Sequence, residues 1–336
     1  MNRIFKTISK KIKGRANTTV VVSENASSLT KITDNRSSLN INQTHSNLFT
    51  TIKQVLNVSL ASILFVSSLQ ADIIADTNAP TNTRPIILNT ASGATQVNIQ
   101  TPTSGGISVN NYSEFNTGAN GTILNNSRTN VNTVTAGWVE GNPFLATGSA
   151  AAIVNQVNSS NPSSLTGNIE IAGQRADFIL ANPSGISVNG ATLINAAGTT
   201  LTTGTPIIES GALNGFSVND GTVTIQGTGL NALSSDYTNI LARSAVINAG
   251  IWSNELSIIT GVNTVSRDSS TITTVGTGAT SAPLFAIDSS ALGGMYANKI
   301  TLIGTEAGVG VNNAGVIGAN ENISIDINGN LTNSGT

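Results

Sequence analysis

The sequence predicts an all-β chain wound as a parallel β-helix, and three observations carry that prediction. Short apolar-polar alternations bounded by Asn and Gly recur along residues 72–336, as in Ile107-Ser108-Val109-Asn110 and Thr222-Val223-Thr224-Ile225. No window holds an apolar stripe at helical spacing, because Gly or Asn interrupts nearly every run of that length. The phrase Val311-Asn312-Asn313-Ala314-Gly315 returns twenty residues later as Leu331-Thr332-Asn333-Ser334-Gly335, with the strand-like Ile323-Ser324-Ile325-Asp326-Ile327 between them. A period near 20 suits one coil of a solenoid.

Ile194-Asn195-Ala196-Ala197-Gly198 and Ile247-Asn248-Ala249-Gly250 read as further copies of that phrase. One coil cannot bury its apolar face alone, so stacking must supply the core, and Asn side chains at equivalent turns can hydrogen-bond up the stack. The Asn residues therefore read as turn formers and ladder members rather than ligand groups. If two-thirds of residues 72–336 form such coils, roughly nine rungs at ~4.8 Å give a rod of about 40 Å. Ser149-Ala150-Ala151-Ala152-Ile153-Val154-Asn155-Gln156-Val157 is the one stretch with local helix propensity, the alternative being that Ile153 and Val157 pack under a loop. The repeats are least regular over residues 137–174 and 260–284, where Ser, Thr and Gly dominate.

Charge divides the chain in two. Nine of the fifteen Lys and Arg lie at or before Lys53, with only two of the seventeen acids. From Asp72 onward six basic and fifteen acidic residues leave a balance of −9, and the bases stand singly. Phosphate neutralisation needs clustered Lys and Arg, so this part is not expected to bind nucleic acid or anionic membrane. The basic start reads instead as a leader. An apolar stretch at residues 55–66 is too short for a bilayer span, which takes about 20 residues. It exits through Ser67-Ser68-Leu69-Gln70-Ala71, so cleavage is expected after Ala71, with Ala75 as the fallback. Residues 1–71 are thus read as an extended signal peptide and residues 72–336 as the folded domain. The absence of Cys suits passage through an oxidising compartment and removes thiolate chemistry.

The phrase Ala181-Asn182-Pro183-Ser184-Gly185-Ile186-Ser187-Val188-Asn189-Gly190 packs a turn, a strand and a second turn together. It resembles the Asn-Pro-Asn-Gly motif of the two-partner secretion domain of filamentous-haemagglutinin-like and contact-dependent-inhibition exoproteins, with Ser184 where that family usually has Asn. Upstream, Gly141-Asn142-Pro143-Phe144-Leu145 resembles the family's Asn-Pro-Asn-Leu motif, with Phe144 in the third place. Gly148-Ser149-Ala150, the run from Ile169-Glu170-Ile171 to Arg175-Ala176-Asp177, and Asp236-Tyr237-Thr238-Asn239-Ile240-Leu241-Ala242-Arg243 follow the family's wording. So do Leu292-Gly293-Gly294-Met295-Tyr296-Ala297-Asn298-Lys299-Ile300 and the run from Gly304-Thr305-Glu306 to Gly310-Val311-Asn312. The first residues, Met1-Asn2-Arg3-Ile4-Phe5-Lys6, with Val20-Val21-Val22-Ser23-Glu24, resemble the extended signal region of large surface-secreted bacterial proteins.

The resemblance covers residues 75–336. It implies a right-handed β-helix with an N-terminal cap and extra-helical strands, which would suit the two irregular stretches. It also implies export through an outer-membrane β-barrel transporter with periplasmic recognition domains, and a longer repeat region beyond Thr336. In that case the domain targets secretion and nucleates folding, while adhesion or toxin delivery to a host or neighbouring cell belongs to the continuation. The secretion motif is then Asn142, Pro143, Phe144 and Leu145 with Asn182, Pro183, Ser184 and Gly185, read either by the transporter or as turns needed for folding. Replacing one of these turn residues by Ala is expected to cost only about 1 kcal/mol of stability.

Two rivals come from other classes. A β-helical polysaccharide-active enzyme needs paired carboxylates or clustered acids, and a free-standing adhesin would bind host glycans itself. After Ala71 the acids stand singly, the nearest pair being Asp72 and Asp76, and the only His, His45, lies in the leader. Ser149 and Ser184 have no base in reach of the sequence pattern, and the Gly-rich runs lack a phosphate-binding Lys. Neither catalysis, nor a metal, nor a cofactor is expected.

Overall fold

The computed structural model describes residues 72–276 and 278–336, together with two strands, Thr7–Ser9 and Thr19–Val21, that pair antiparallel. Those two strands apart, the leader and its cleavage point at Ala71 lie outside the described residues. The remainder is a parallel β-helix whose coils each turn through three faces.

In chain order within a coil, the first face stacks Ser163, Ile186, Val223, Ala245, Ile287, Val311 and Leu331 through successive parallel pairings. The second carries Ala191, Leu230, Ile251, Met295 and Ile317. The third aligns Leu180, Leu201, Ile240, Ile258, Leu302 and Ile325. Because side chains alternate across each strand, these rows point inward and their neighbours outward. Most of them are fully buried and join one continuous apolar core. Each coil contributes a single layer to it, which is why the fold needs the stack.

The twenty-residue displacement is the pairing register itself: Val311 faces Leu331, Asn312 faces Thr332 and Asn313 faces Asn333. The other two phrases are not equivalent copies. Ile194 ends a second-face strand, whereas Ile247 ends a first-face strand, so the shared wording marks two different corners. Asn ladders do run up the stack, with Asn125 donating to Asn98 at 2.9 Å, Asn320 to Asn298 at 2.9 Å and Asn313 to Asn333 at 2.8 Å. The third face stacks eight strands against the nine rungs expected.

The Ser149–Val157 stretch is not a helix, since Ala152–Val157 is a third-face strand between Ile107–Phe115 and Ala176–Ala181. Its β-branched residues Ile153, Val154 and Val157 are buried, and tertiary pairing overrides the propensity of the Ala run. The cap also lies elsewhere than the irregular stretches. Ile73–Ala75 pairs antiparallel with Ile107–Phe115, and Ile86–Asn89 pairs antiparallel with Thr95–Asn98, closing the first coil's open edge. Only the hairpin of Val131–Thr133 and Gly137–Val139 stands outside the coils near residue 137. The second irregular stretch does leave the coils. Asn263–Ser266 and Ile272–Thr274 join Thr205–Glu209 and Ala212–Val218 in a four-stranded antiparallel sheet beside the third face. Its Phe216, Val218 and Val265 pack on the outward Ile179, Leu241 and Ile259 in a second apolar cluster.

Candidate functional site: two Asn-Pro corners

Both Asn-Pro motifs form the same device. Asn142 is 2% exposed and its Oδ1 accepts from the Phe144 N–H at 3.0 Å, an Asx turn that caps the short 3-10 segment Pro143–Leu145. Its Nδ2 donates to the carbonyls of Ile99 and Asn125, both at 2.9 Å, stitching two coils at the corner between the second and third faces. Leu145 is fully buried in the main core, Pro143 is exposed and Phe144 half-buried. The Phe144 carbonyl accepts from Thr101 Oγ1 at 2.8 Å.

Asn182 repeats this at the corner between the third and first faces. Its side chain is fully buried. Oδ1 accepts from the Ser184 N–H at 2.9 Å, while Nδ2 donates to the Asn161 carbonyl and to Ser163 Oγ, both at 3.0 Å. Its backbone N–H donates to Thr202 of the next coil at 2.9 Å, so one residue ties three layers. Gly185 takes φ 108, which closes the turn and lets its N–H reach the Asn182 carbonyl at 3.0 Å. Gly221 of the next coil, at φ 88, lies so close that a Cβ there would sit 2.8 Å from the Pro183 carbonyl. Pro183 and Ser184 are exposed. The two motifs occupy different corners, and no hydrogen bond joins them among the described residues.

Four long-range ties around these corners are absent from the motif-based expectation. Arg243, 3% exposed, is bidentate to Glu306 at 2.8 and 3.1 Å, lies 3.6 Å from Asp220 and donates to the Thr280 carbonyl at 2.9 Å. Hydrogen bonding to Glu306 holds its guanidinium firmly protonated. Glu170 is buried and accepts the Val134 and Thr135 N–H groups at 2.9 and 2.7 Å, fixing the side hairpin's tip. Arg267 of the antiparallel sheet pairs with Asp177 at 3.0 Å, and Arg175 with Asp236 at 3.0 Å. Every charged residue among these except Asp220 and Arg267 falls within a run already singled out in the sequence. For the buried Arg243 and Glu170 the available signal was scarcity: in a segment with so few charges, a charge beside apolar residues points to a buried partner.

The described residues thus form a capped parallel β-helix with an antiparallel side sheet and two buried Asn-Pro corners. The chain belongs to the family described as the TPS secretion domain, whose model it matches over residues 71–333. It is 50% identical over 269 residues to "Toxin CdiA" of Yersinia pestis, and 42% identical over 254 residues to "tRNA nuclease CdiA-2" of Burkholderia pseudomallei. These matches cover 80% and 75% of the chain but only 8% of each relative. Among solved structures it is similar to the crystal structure of the filamentous hemagglutinin secretion domain, with TM-score 0.66 and 29% identity over 79% of this chain and 99% of that one. Such a domain targets its protein through an outer-membrane transporter to the cell surface or extracellular space, a non-enzymatic role.

Proposed function

We propose that residues 72–336 reach the outer membrane unfolded, behind a leader removed after Ala71, and engage the periplasmic recognition domains of a β-barrel transporter by strand addition. The chain then coils outside, and each rung laid on the last opposes backsliding, so export needs no nucleotide hydrolysis at the outer membrane. In this reading Asn142, Leu145, Asn182 and Gly185 set the corners as coils form, while Pro143, Phe144, Pro183 and Ser184 are the positions left for the transporter to read. The observation that carries it is the division of each motif into a buried Asn with every polar atom engaged and an adjacent exposed Pro.

The toxin and nuclease activities in the relatives' names are assigned to regions outside this domain, which neither cleaves nor binds nucleic acid. Surface export of the full chain with its transporter tests the division. Changing Pro183→Ala and Ser184→Ala together should lower export severalfold with the refolded protein's melting temperature within about 2 °C of wild type, a shift worth roughly 1 kcal/mol or less. Unchanged export in that variant would remove the recognition role and leave the motifs as turns.

A further inference from the structure

The two hairpins of the side sheet leave the stack at the same corner, two coils apart. Thr205–Glu209 and Ala212–Val218 follow the third-face strand Ala196–Thr202, whereas Asn263–Ser266 and Ile272–Thr274 follow the third-face strand Glu255–Thr260. They meet across the intervening coils, where Phe216 pairs with Val265 and Ser217 with Thr264. The joined sheet covers outward side chains of earlier coils, Ala152, Val154 and Ile179, and of the intervening ones, Leu241 and Ile259. Both hairpins are also tied to earlier coils by polar contacts. Thr103 Oγ1 donates to the Gly211 carbonyl at 2.6 Å in the first hairpin's turn, and Arg267 of the second reaches back to Asp177 at 3.0 Å.

The bridged coils, residues 222–260, have short ladders of their own. On the first face Thr222–Ile225 and Ser244–Ile247 are 4 residues each, and on the second Leu230–Asn231 is 2 and Gly250–Trp252 is 3. The strands that flank them, Ile186–Ile194 and Gly294–Gly304, run 9 and 11 residues unbroken across two faces. A coil in a solenoid is held by its neighbours, so a short ladder is a weak interface. At the corner where the hairpins depart, their ends are joined. Thr280 Oγ1, beyond the second hairpin, donates to Asp220, just after the first, at 3.0 Å, and Arg243 between them donates to the Thr280 carbonyl at 2.9 Å.

We propose that the side sheet is a strap that locks the two short coils into the stack. Unravelling residues 222–260 then requires parting Phe216 from Val265 and stripping the sheet from Leu241 and Ile259, so the coils open only together with the strap. The strap escapes the nearest-neighbour limit of a solenoid, because it links a coil before the weak stretch directly to the end of that stretch. Pairing Phe216 with Val265 across an unfolded segment would cost loop-closure entropy, and laying the two coils first brings the hairpins side by side. Closure of the strap is therefore the step that completes this part of the domain. The inference is independent of the secretion reading.

Hydrogen exchange of the refolded full chain, read by mass spectrometry, should find residues 222–260 as protected as the flanking coils despite their shorter strands. Val265→Ala removes two methyl groups from the contact with Phe216 and leaves the coils' own ladders untouched. It should raise exchange over residues 222–260 by about tenfold, and over residues 107–157 by less than about threefold. Ser217→Cys with Thr264→Cys places a bridge on the half-buried outer side of the sheet, in a chain with no other Cys. Added to Val265→Ala, the pair should restore protection when oxidised and not when reduced. Refolding of the Val265→Ala chain only with the bridge closed would also support the strap. Poor protection of residues 222–260 in the wild type, equal loss along the stack in Val265→Ala, no loss over those residues, or the same behaviour in both redox states would each overturn it.

Discussion

Replacing Asn182 by Ala removes three side-chain hydrogen bonds at a fully buried position and strands the groups that made them. Ser184 N–H, the Asn161 carbonyl and Ser163 Oγ each lose a partner. At about 1 kcal/mol per hydrogen bond, with part of the desolvation cost added, the change should destabilise the domain by about 2–4 kcal/mol, well above the cost expected of an ordinary turn residue. For a domain of this size that is a melting shift of roughly 5–12 °C. The assay is urea and thermal unfolding of the refolded chain followed by circular dichroism. Because coils communicate through neighbours, the loss should concentrate in the layers holding Asn161, Asn182 and Thr202, and hydrogen exchange should rise there first. Asn182→Asp keeps the acceptor for Ser184 but sets an anion against the Asn161 carbonyl, so it should be no more stable than the Ala variant at neutral pH. Export of both variants should fall together with stability. A melting temperature within about 2 °C of wild type for Asn182→Ala would refute the corner-staple argument.

Arg243→Ala should be among the most damaging single changes, about 3–5 kcal/mol, because it leaves the largely buried Glu306 carboxylate unpaired; unfolding by urea reports it directly. Asp76 accepts from the Asn158 side chain at 2.8 Å and the Asn78 N–H at 2.9 Å, and these bonds hold its carboxyl below the usual carboxylate range. A depressed folded value means its stabilisation is present above about pH 4 and lost as pH falls through the folded value, so protection of the cap should drop in that window and Asp76→Asn should abolish the step. Gly221→Ala should cost at least about 1 kcal/mol, since an Ala at φ 88 is strained and its Cβ meets the Pro183 carbonyl; melting measures it. N-terminal sequencing of secreted material should begin at Asp72 or Asp76, and material retaining Lys53 would refute the leader assignment.

What the sequence determined by itself was local and periodic. The alternation of apolar and polar residues set which side of each strand faces the core, and the spacing from Val311 to Leu331 was the register of two successive coils. The Asn-Pro-x-Gly and Asn-Pro-Phe-Leu phrases marked corners because Asx turns and left-handed Gly are encoded within four residues. Only the tertiary structure decided which corner each phrase serves. Ile194-Asn195 and Ile247-Asn248 look alike, yet they end different faces, and only Asn195 turns through the left-handed region, at φ 59, with its side chain donating to the Ile171 and Gly173 carbonyls of the coil before. It also decided that the Ala-rich stretch before Val157 is strand, because neighbours above and below supply hydrogen bonds that no local propensity can match. The side sheet gathers residues 205–218 with 263–274 from opposite sides of two intervening coils, a pairing with no local signature. The same holds for Arg243 with Glu306: stacking coils brings distant residues within contact, and only the stack records which ones meet.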